Sequence, residues 1–335
     1  MLIVKNDFLN KLKVLSEASE SKVFGDSGYL KCYNGKLYTN NPSLSVFISV
    51  GTGINFNFAV NMKEILKVLN GMKSENIDIE LKDDILVLKS GKTTVKMNCF
   101  NFDSLLKENI EVEAIDIVDD FSKLYEYMYL SDGLHCKYQS IVFRDNVIYT
   151  SNGFIINALR LKTNFDDLSL PLNNLNFLKR KFIKYYKYDN FISFEDELGF
   201  RFDFLLCDDF NMPVDKIKTL IEKSNGDGLS VELNDDFFQS LNLAQNFSKK
   251  TNTIPINLKI MENSIEVTAQ NQIGDYTDSI PVDVTNFSDE EILKVDFNAL
   301  ITFKEKANKF SINKSNFPIL VFKGENSTHL LATLS

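Results

Sequence analysis

Two histidines, His135 and His329, and four cysteines, Cys32, Cys99, Cys136 and Cys207, are the side chains best suited to metal or nucleophile chemistry. Neither histidine sits in a metal-ligand spacing, and no two cysteines are close enough for a CxxC motif. The thiols read as buried, reduced side chains of a cytoplasmic protein. "KSGKTT", 89–94, has the tail of a phosphate loop, but the glycine required five residues before Gly91 is Leu86, so a hairpin turn is expected instead. "GTGINF", 51–56, supplies GxG with Phe56 where a third glycine belongs. Acid pairs stand at Asp83-Asp84, Asp119-Asp120, Asp166-Asp167, Asp208-Asp209 and Asp235-Asp236. A two-metal nuclease needs such carboxylates to converge on one point. These fall at helix starts and turns, where Asp serves the local backbone. The expectation is a binding protein, not an enzyme, with no metal and no cofactor.

The elements that would carry a binding surface recur along the chain. Residues 6–15, 119–128 and 234–244 each open with acids and continue with apolar residues on one helical face: Phe8, Leu12, Leu15; Phe121, Leu124, Tyr125, Met128; Phe237, Leu241, Ala244. The acids lie at the positive end of the helix dipole. The starts Asp7, Asp120 and Asp236 are separated by 113 and 116 residues. Each helix leads to a strand pair written in nearly the same way: "YNGKLYTNN" at 33–41, "RDNVIYTSN" at 144–152, "MENSIEVTAQ" at 261–270. Leu37, Ile148 and Ile265 hold matching places, and residues two apart share a strand face. A second helical pattern follows at 61–73, 171–186 and 297–309, and a run of strands closes each copy. The period is too long for a solenoid and indicates tandem modules. Expected boundaries give modules at 1–114, 115–227 and 228–335, in an α+β class.

Composition agrees with real cores: of 335 residues, 44% are hydrophobic and 25% charged. No apolar run reaches the 18 residues of a membrane span. Asp7, Lys11 and Lys13 interrupt the segment where a signal peptide needs its apolar run.

The net charge of −9 argues against a simple nucleic-acid coat. Its distribution argues otherwise. The second helical patterns carry Lys63, Lys67 and Lys73 against Glu64; Lys179, Arg180, Lys181, Lys184 and Lys187 against no acid; and Lys304, Lys306 and Lys309 against Glu305. One lysine-rich helix face is ordinarily just solvated. Three equivalent ones, arranged around an axis, would line a common basic surface. Lysines on phosphates carry no base information, so such a surface would hold DNA without choosing a sequence.

The order of segments resembles the bacterial β sliding clamp, the processivity subunit of the replicative DNA polymerase, across the whole chain. The similar segments are "FNFAVNMKEILKVLNGMKSENIDIELKDDILVLKSGKTTVKM" (56–97), "KYQSIVFRDNVIYTSNGFIINALRL" (137–161), "LLCDDFNMPVD" (205–215) and "IPINLKIMENSIEVTAQNQIGDYTDSIPV" (254–282). The resemblance implies a DNA clamp fold of three similar domains, each with two helices and β-sheets. It implies a head-to-tail homodimer ring of six domains whose twelve helices line a pore around duplex DNA. Pore contacts implied are Lys63, Lys67, Lys73, Lys137, Lys179, Arg180, Lys181, Lys184, Lys249, Lys250, Lys304 and Lys306. Implied partners are double-stranded DNA, a second copy of the chain, and a DNA polymerase and clamp loader that dock a linear peptide. The peptide pocket carried over by position comprises Tyr138, Ser151, Gly153, Phe154, Ile156, Pro213, Leu330, Ala332 and Ser335. Phe102 and Phe247 are the implied subunit-interface anchors.

The chain departs from the family where it ends in "LATLS" rather than a Met-Pro-x-Arg-Leu type of tail. It has Phe154 where a histidine is common, and an acidic helix "DDFSKLYEYMYLSD" where a pore wall is expected. These departures suggest a divergent, phage- or plasmid-encoded clamp. Two other readings stay open at this point: a phage structural assembly protein of repeated β-rich modules, and a clamp-like decoy that binds host replication proteins without encircling DNA.

Overall fold

The computed structural model describes residues 1–19, 28–41, 46–100, 102, 113–128, 140–188, 190–207, 212–223, 228–248, 254–272, 274–303, 307–313, 318–324 and 326–334. The chain divides into two compact units, Met1–Ser122 with Asn176–Leu206, and Lys123–Leu175 with Cys207–Ser335.

The first unit holds two antiparallel sheets. One has four strands in the order β1 (Leu2–Val4), β6 (Asn76–Lys82), β7 (Ile85–Ser90), β8 (Thr93–Asn98). The other has eight, in the order β5 (Phe58–Asn61), β2 (Tyr29–Tyr33), β3 (Lys36–Asn41), β4 (Val46–Gly51), β16 (Phe200–Leu205), β15 (Phe191–Asp196), β14 (Phe182–Lys187), β9 (Ile115–Asp116). Two-residue turns set the hairpin registers. Asn34-Gly35 and Asp83-Asp84 all adopt positive φ, the conformation that matches the twist of a tight hairpin. Gly91, at φ +59°, sits in the β7–β8 turn, so "KSGKTT" is that hairpin. Helix α1 (Lys5–Ser16) buries Phe8, Leu9, Leu12 and Leu15, one face of a 3.6-residue period. Full burial of each stabilises by about 1.5–3 kcal/mol. Helix α2 (Met62–Gly71) buries Met62, Ile65 and Leu69. Its N-terminus is capped by Asn61, whose side chain accepts from Lys63 N at 3.0 Å and Glu64 N at 3.1 Å. A cluster of phenylalanines, among them Phe121, Phe182, Phe194 and Phe202, fills the core beneath β14–β16.

The second unit holds a nine-stranded sheet. Its order is β13 (Leu168–Pro171), β10 (Ser140–Arg144), β11 (Val147–Ser151), β12 (Ile155–Arg160), β25 (Ser327–Ala332), β24 (Ile319–Lys323), β23 (Lys309–Asn313), β17 (Ser230–Glu232), β21 (Val284–Thr285). A four-stranded sheet runs β20 (Asp275–Pro281), β19 (Ser264–Gln270), β18 (Pro255–Met261), β22 (Glu291–Asp296). Helices α5 (Asp235–Ala244) and α6 (Phe297–Ile301) pack into one core with both sheets, around Phe237, Leu241, Ile260, Phe310 and Phe322. Helix α4 (Val214–Lys223) covers the opposite face of the nine-stranded sheet through Val214 and Ile217 on Val142, Tyr149 and Ala158. Helix α3 (Phe121–Met128) starts after Asp120, whose side chain accepts from Ser122 N at 3.1 Å.

Three expected helices are corrected. The pattern at 171–186 forms a 3-10 helix, Leu172–Lys179, and then becomes β14. Asn173, Asn174 and Asn176 are poor α-helix formers, and the aromatic residues from Phe182 onward suit a strand better. Arg180 and Lys181 therefore lie in a connection, and Lys184 and Lys187 lie on a strand. The pattern at 297–309 yields only α6, which ends at Ile301, and Lys309 opens β23. Helix α2 ends at Gly71 with Met72 extended, so Lys73 follows the helix.

Candidate functional site

The exposed lysines are the first candidate surface. On α2, burial of Met62, Ile65 and Leu69 turns Lys63 and Lys67 to solvent, and Lys73 is exposed just beyond the last turn. Lys5 Nζ donates to Met72 O at 2.8 Å and ties that end down. Lys179, the last residue of the 3-10 helix, is exposed. Arg180 has a different position. Its Nη2 donates to both carboxylate oxygens of Glu17, at 2.8 and 2.7 Å. Its Nη1 lies 3.7 Å from the buried Asp196, and its guanidinium stacks 4.9 Å from the Phe202 ring centre. An arginine that pairs with two carboxylates and stacks on a ring is a structural tie between the end of α1 and the eight-stranded sheet. Burial holds the Asp196 carboxyl above the ordinary carboxylate range, against the pull of Phe200 N, Leu198 N and Arg180. Lys181 donates to Glu197 at 3.0 Å. Lys184, half-buried, faces Asp116 and Glu195 across the sheet register. Of the expected pore set, Lys137, Lys249, Lys250, Lys304 and Lys306 lie outside the described residues.

The second candidate surface is the β11–β12 turn of the second unit and the strands beside it, where Ser151 and Leu330 are buried and Phe154 is exposed. Asn152 builds the β11–β12 turn, its Oδ1 accepting from Phe154 N at 2.9 Å and Ile155 N at 2.7 Å. Ser151 Oγ accepts from Gly153 N at 3.0 Å, and Gly153 has φ +91°, where a side chain would be strained. The turn presents Phe154 at 52% exposure. Beyond it the strand alternates. Ile155 enters the core, while Ile156 turns to the other face of the sheet and packs, as does Ile221 of α4, against the cluster of Val142, Tyr149 and Ile217. Ile156 pairs with Leu330 on β25, and Ala332 N donates to Phe154 O at 2.9 Å. Pro213 O accepts from Ile217 N at 3.0 Å, opening α4. Ser151, Gly153, Phe154, Ile156, Leu330 and Ala332 thus share three adjacent strands, with Pro213 at the start of the helix that packs beside Ile156. Tyr138 and Ser335 lie outside the described residues.

Helix α4 supplies Val214, Ile217 and Ile221 to this region, and none of them was expected from the sequence. The signal was present: Pro213 before a first-turn Asp215, then apolar residues at 214, 217, 220 and 221.

Phe102 meets Tyr38 edge-on at 6.4 Å, and Phe247 stacks on Tyr276 at 5.8 Å. Both are partly buried against their own chain. Among the described residues no group of three or more His, Cys, Asp or Glu is arranged to hold a metal. Within those residues, no helix is long and apolar enough to cross a membrane.

No family model matches the chain. A curated relative, the beta sliding clamp of Helicobacter pylori (strain J99), is 27% identical over 140 residues, covering 36% of this chain. The match spans 37% of that relative's length. Solved structures match end to end. The Bacillus subtilis DNA polymerase sliding clamp aligns with TM-score 0.81 at 12% identity over 100% of this chain and 98% of its own. The DNA polymerase III beta chain of Streptococcus pneumoniae gives 0.79 at 15% identity, over 100% and 99%. The DNA polymerase III subunit beta of Pseudomonas aeruginosa gives 0.77 at 13% identity, over 100% and 99%. The fold of this chain is that of the bacterial sliding clamps.

Proposed function

We propose that the chain is a DNA sliding clamp: a non-catalytic processivity factor that encircles duplex DNA and tethers a replicative polymerase through the surface at β11–β12, β25 and α4. The observation that carries this reading is the likeness in fold over the whole chain to clamps of several bacteria. The three-module organisation, with modules at 1–114, 115–227 and 228–335, belongs to the same proposal, as does a place in the cytoplasm.

Sheet edges support ring closure. Among the described residues, β8 and β20 each pair on one side only. Long unpaired edges invite another strand. The β8 hairpin carries Lys92 and Lys96, whereas β20 carries Asp275 and Asp278. Edge pairing of β8 with β20 of a second copy joins two four-stranded sheets into one of eight strands. The other large sheets of the chain already have eight and nine. Repeating the contact head to tail closes a dimer. Phe102 and Phe247 are proposed to flank this contact.

Lys63, Lys67, Lys73 and Lys179 are the proposed DNA contacts among the described lysines. An acidic outer surface with a basic lining reconciles the net charge of −9 with DNA. The test images the protein by negative stain at micromolar concentration, then loads it onto nicked circular DNA with a loader-competent extract and measures retention before and after a restriction enzyme linearises the circle. A ring with a central hole, and retention lost on linearisation, is the expected result. Tubes or solid particles that bind linear and circular DNA equally would refute it.

A further inference from the structure

One row of residues crosses the outward face of the nine-stranded sheet. Ile156 pairs with Leu330, Leu330 with Val321, Val321 with Ser311, Ser311 with Ser230, and Ser230 with Thr285. Directly paired residues point to the same side, so the row changes character along its length. It is apolar at Ile156, which is half-buried, and at Leu330 and Val321, which are buried, beside the proposed peptide site. It becomes hydroxyl-lined at Ser311, Ser230 and Thr285. At that end is a cavity of about 320 Å³, lined by Ser230, Thr285, Asn286, Lys309, Ser311 and Lys323.

Two features of the cavity suit an anion. Ser230 is 92% buried, at 8% exposure, and neither its Oγ nor that of Ser311 has a hydrogen-bond partner. Buried hydroxyls are ordinarily satisfied. Lys309 and Lys323 stand at its mouth, both exposed. Partial desolvation of its ammonium, and secondarily the charge of Lys309, holds Lys323 below its ordinary value although the residue as a whole is exposed. Like charges gathered above donor hydroxyls favour an anion. The acid in register is Glu232, directly across β17 from Lys309 and exposed.

We propose that this cavity is an acidic-residue subsite, which seats an Asp or Glu carboxylate of a partner peptide whose apolar anchors occupy the adjoining Ile156–Leu330–Val321 site. The inference rests on the clamp reading for the presence of a docked peptide and adds the chemistry of its flank. Val321 belongs to both surfaces, since it pairs with Leu330 on one side and Ser311 on the other. A peptide crossing the strands passes from one to the other within two strand spacings, on the order of 10 Å.

The test uses two fluorescein-labelled synthetic peptides with the same Leu-Phe anchors, one flanked by Glu-Glu-Glu and one by Gln-Gln-Gln. Fluorescence anisotropy reads their affinities for the full chain at 50 and 300 mM salt. The acidic peptide is expected to bind about five- to tenfold tighter at low salt, with the ratio falling at high salt. Lys309→Gln with Lys323→Gln abolishes the difference and leaves the neutral peptide unchanged. Ser230→Ala with Ser311→Ala reduces it. Equal affinities for the two peptides, with binding of the neutral one lost in Ile156→Asp, overturn the subsite and leave the clamp reading standing. Binding of neither peptide overturns both. Displacement of the acidic peptide by a short duplex, lost in the double lysine variant, overturns the assignment in favour of nucleic-acid phosphate.

Discussion

Replacing Arg180 by Ala separates a structural role for this residue from the DNA contact that its place in a lysine-rich segment suggests. The substitution removes two charge-assisted hydrogen bonds to Glu17, at 2.8 and 2.7 Å, and the stacking on Phe202. It also strands Asp196, which lies 3.7 Å away and is 5% exposed. The Glu17 pair is discounted because its carboxylate is 38% exposed. The larger loss comes from leaving a buried carboxylate without its cation. Together these give a destabilisation of about 2–4 kcal/mol. On a chain of this size that is a fall in Tm on the order of 5–10 °C. Lys in place of Arg keeps the charge but not the fork, and recovers only part. The pH dependence carries a sign. Asp196 has a raised folded-state pKa, so its contribution falls as pH rises from the unfolded carboxylate value through the folded one. Without Arg180 that pKa rises further, so the variant's deficit is largest at neutral pH and shrinks toward pH 4. Differential scanning calorimetry at pH 7 and pH 4 measures both quantities. DNA retention, read well below the variant's Tm, is expected to match wild type. An unchanged Tm with lost retention would refute this reasoning and return Arg180 to the DNA surface.

Lys63→Glu with Lys67→Glu leaves Tm within about 1 °C, because both side chains are exposed, and weakens DNA association by about tenfold at 100 mM salt, read by anisotropy across a salt series. Asn152→Ala removes the acceptor for Phe154 N and Ile155 N and lowers stability by about 1–3 kcal/mol in chemical denaturation, with a parallel loss of apolar-peptide binding. Lys92→Glu with Lys96→Glu on the β8 hairpin shifts the protein toward monomer in sedimentation, and Asp275→Lys with Asp278→Lys restores the dimer. Cys32 is fully buried and its thiol is pushed up to about 12. It therefore resists iodoacetamide at pH 8 until the chain unfolds, whereas the half-buried Cys99 and Cys207 react first by mass spectrometry.

The strand pairs were the most legible part of the fold. Asn34-Gly35 and Asp145-Asn146 are residue types that tolerate positive φ, and each fixes a two-residue hairpin whose flanking alternation follows. The first helices were equally plain: α1 and α5 lie within one residue of their expected bounds, because acids, apolar spacing and burial agree. The second helices failed where local and tertiary preferences diverge. "FIKYYK" continues a plausible helical face from "NFLK", yet Phe182 and Tyr185 are held by β15 and by the phenylalanine core as strand residues. A sheet built from strands more than a hundred residues apart, such as β4 with β16, leaves no local signal of that demand.

The same divergence decides what basic charge means in this chain. Lys63 and Arg180 are both cations in lysine-rich stretches, and the sequence treats them alike. The fold does not. Lys63 follows a capped helix start whose buried side is set by Met62 and Ile65, so its side chain is exposed. Arg180 follows a short 3-10 turn that brings it over Phe202 between Glu17 and Asp196, so its charge is spent inside the molecule. A cation that answers two carboxylates has little field left for a phosphate, whereas one on a solvated helix face retains its full attraction at short range. The acidic average of the chain is thus compatible with DNA only through cations of the first kind. Reversing Lys63 and Lys67 therefore flattens the salt dependence of binding, while removing Arg180 leaves its slope intact.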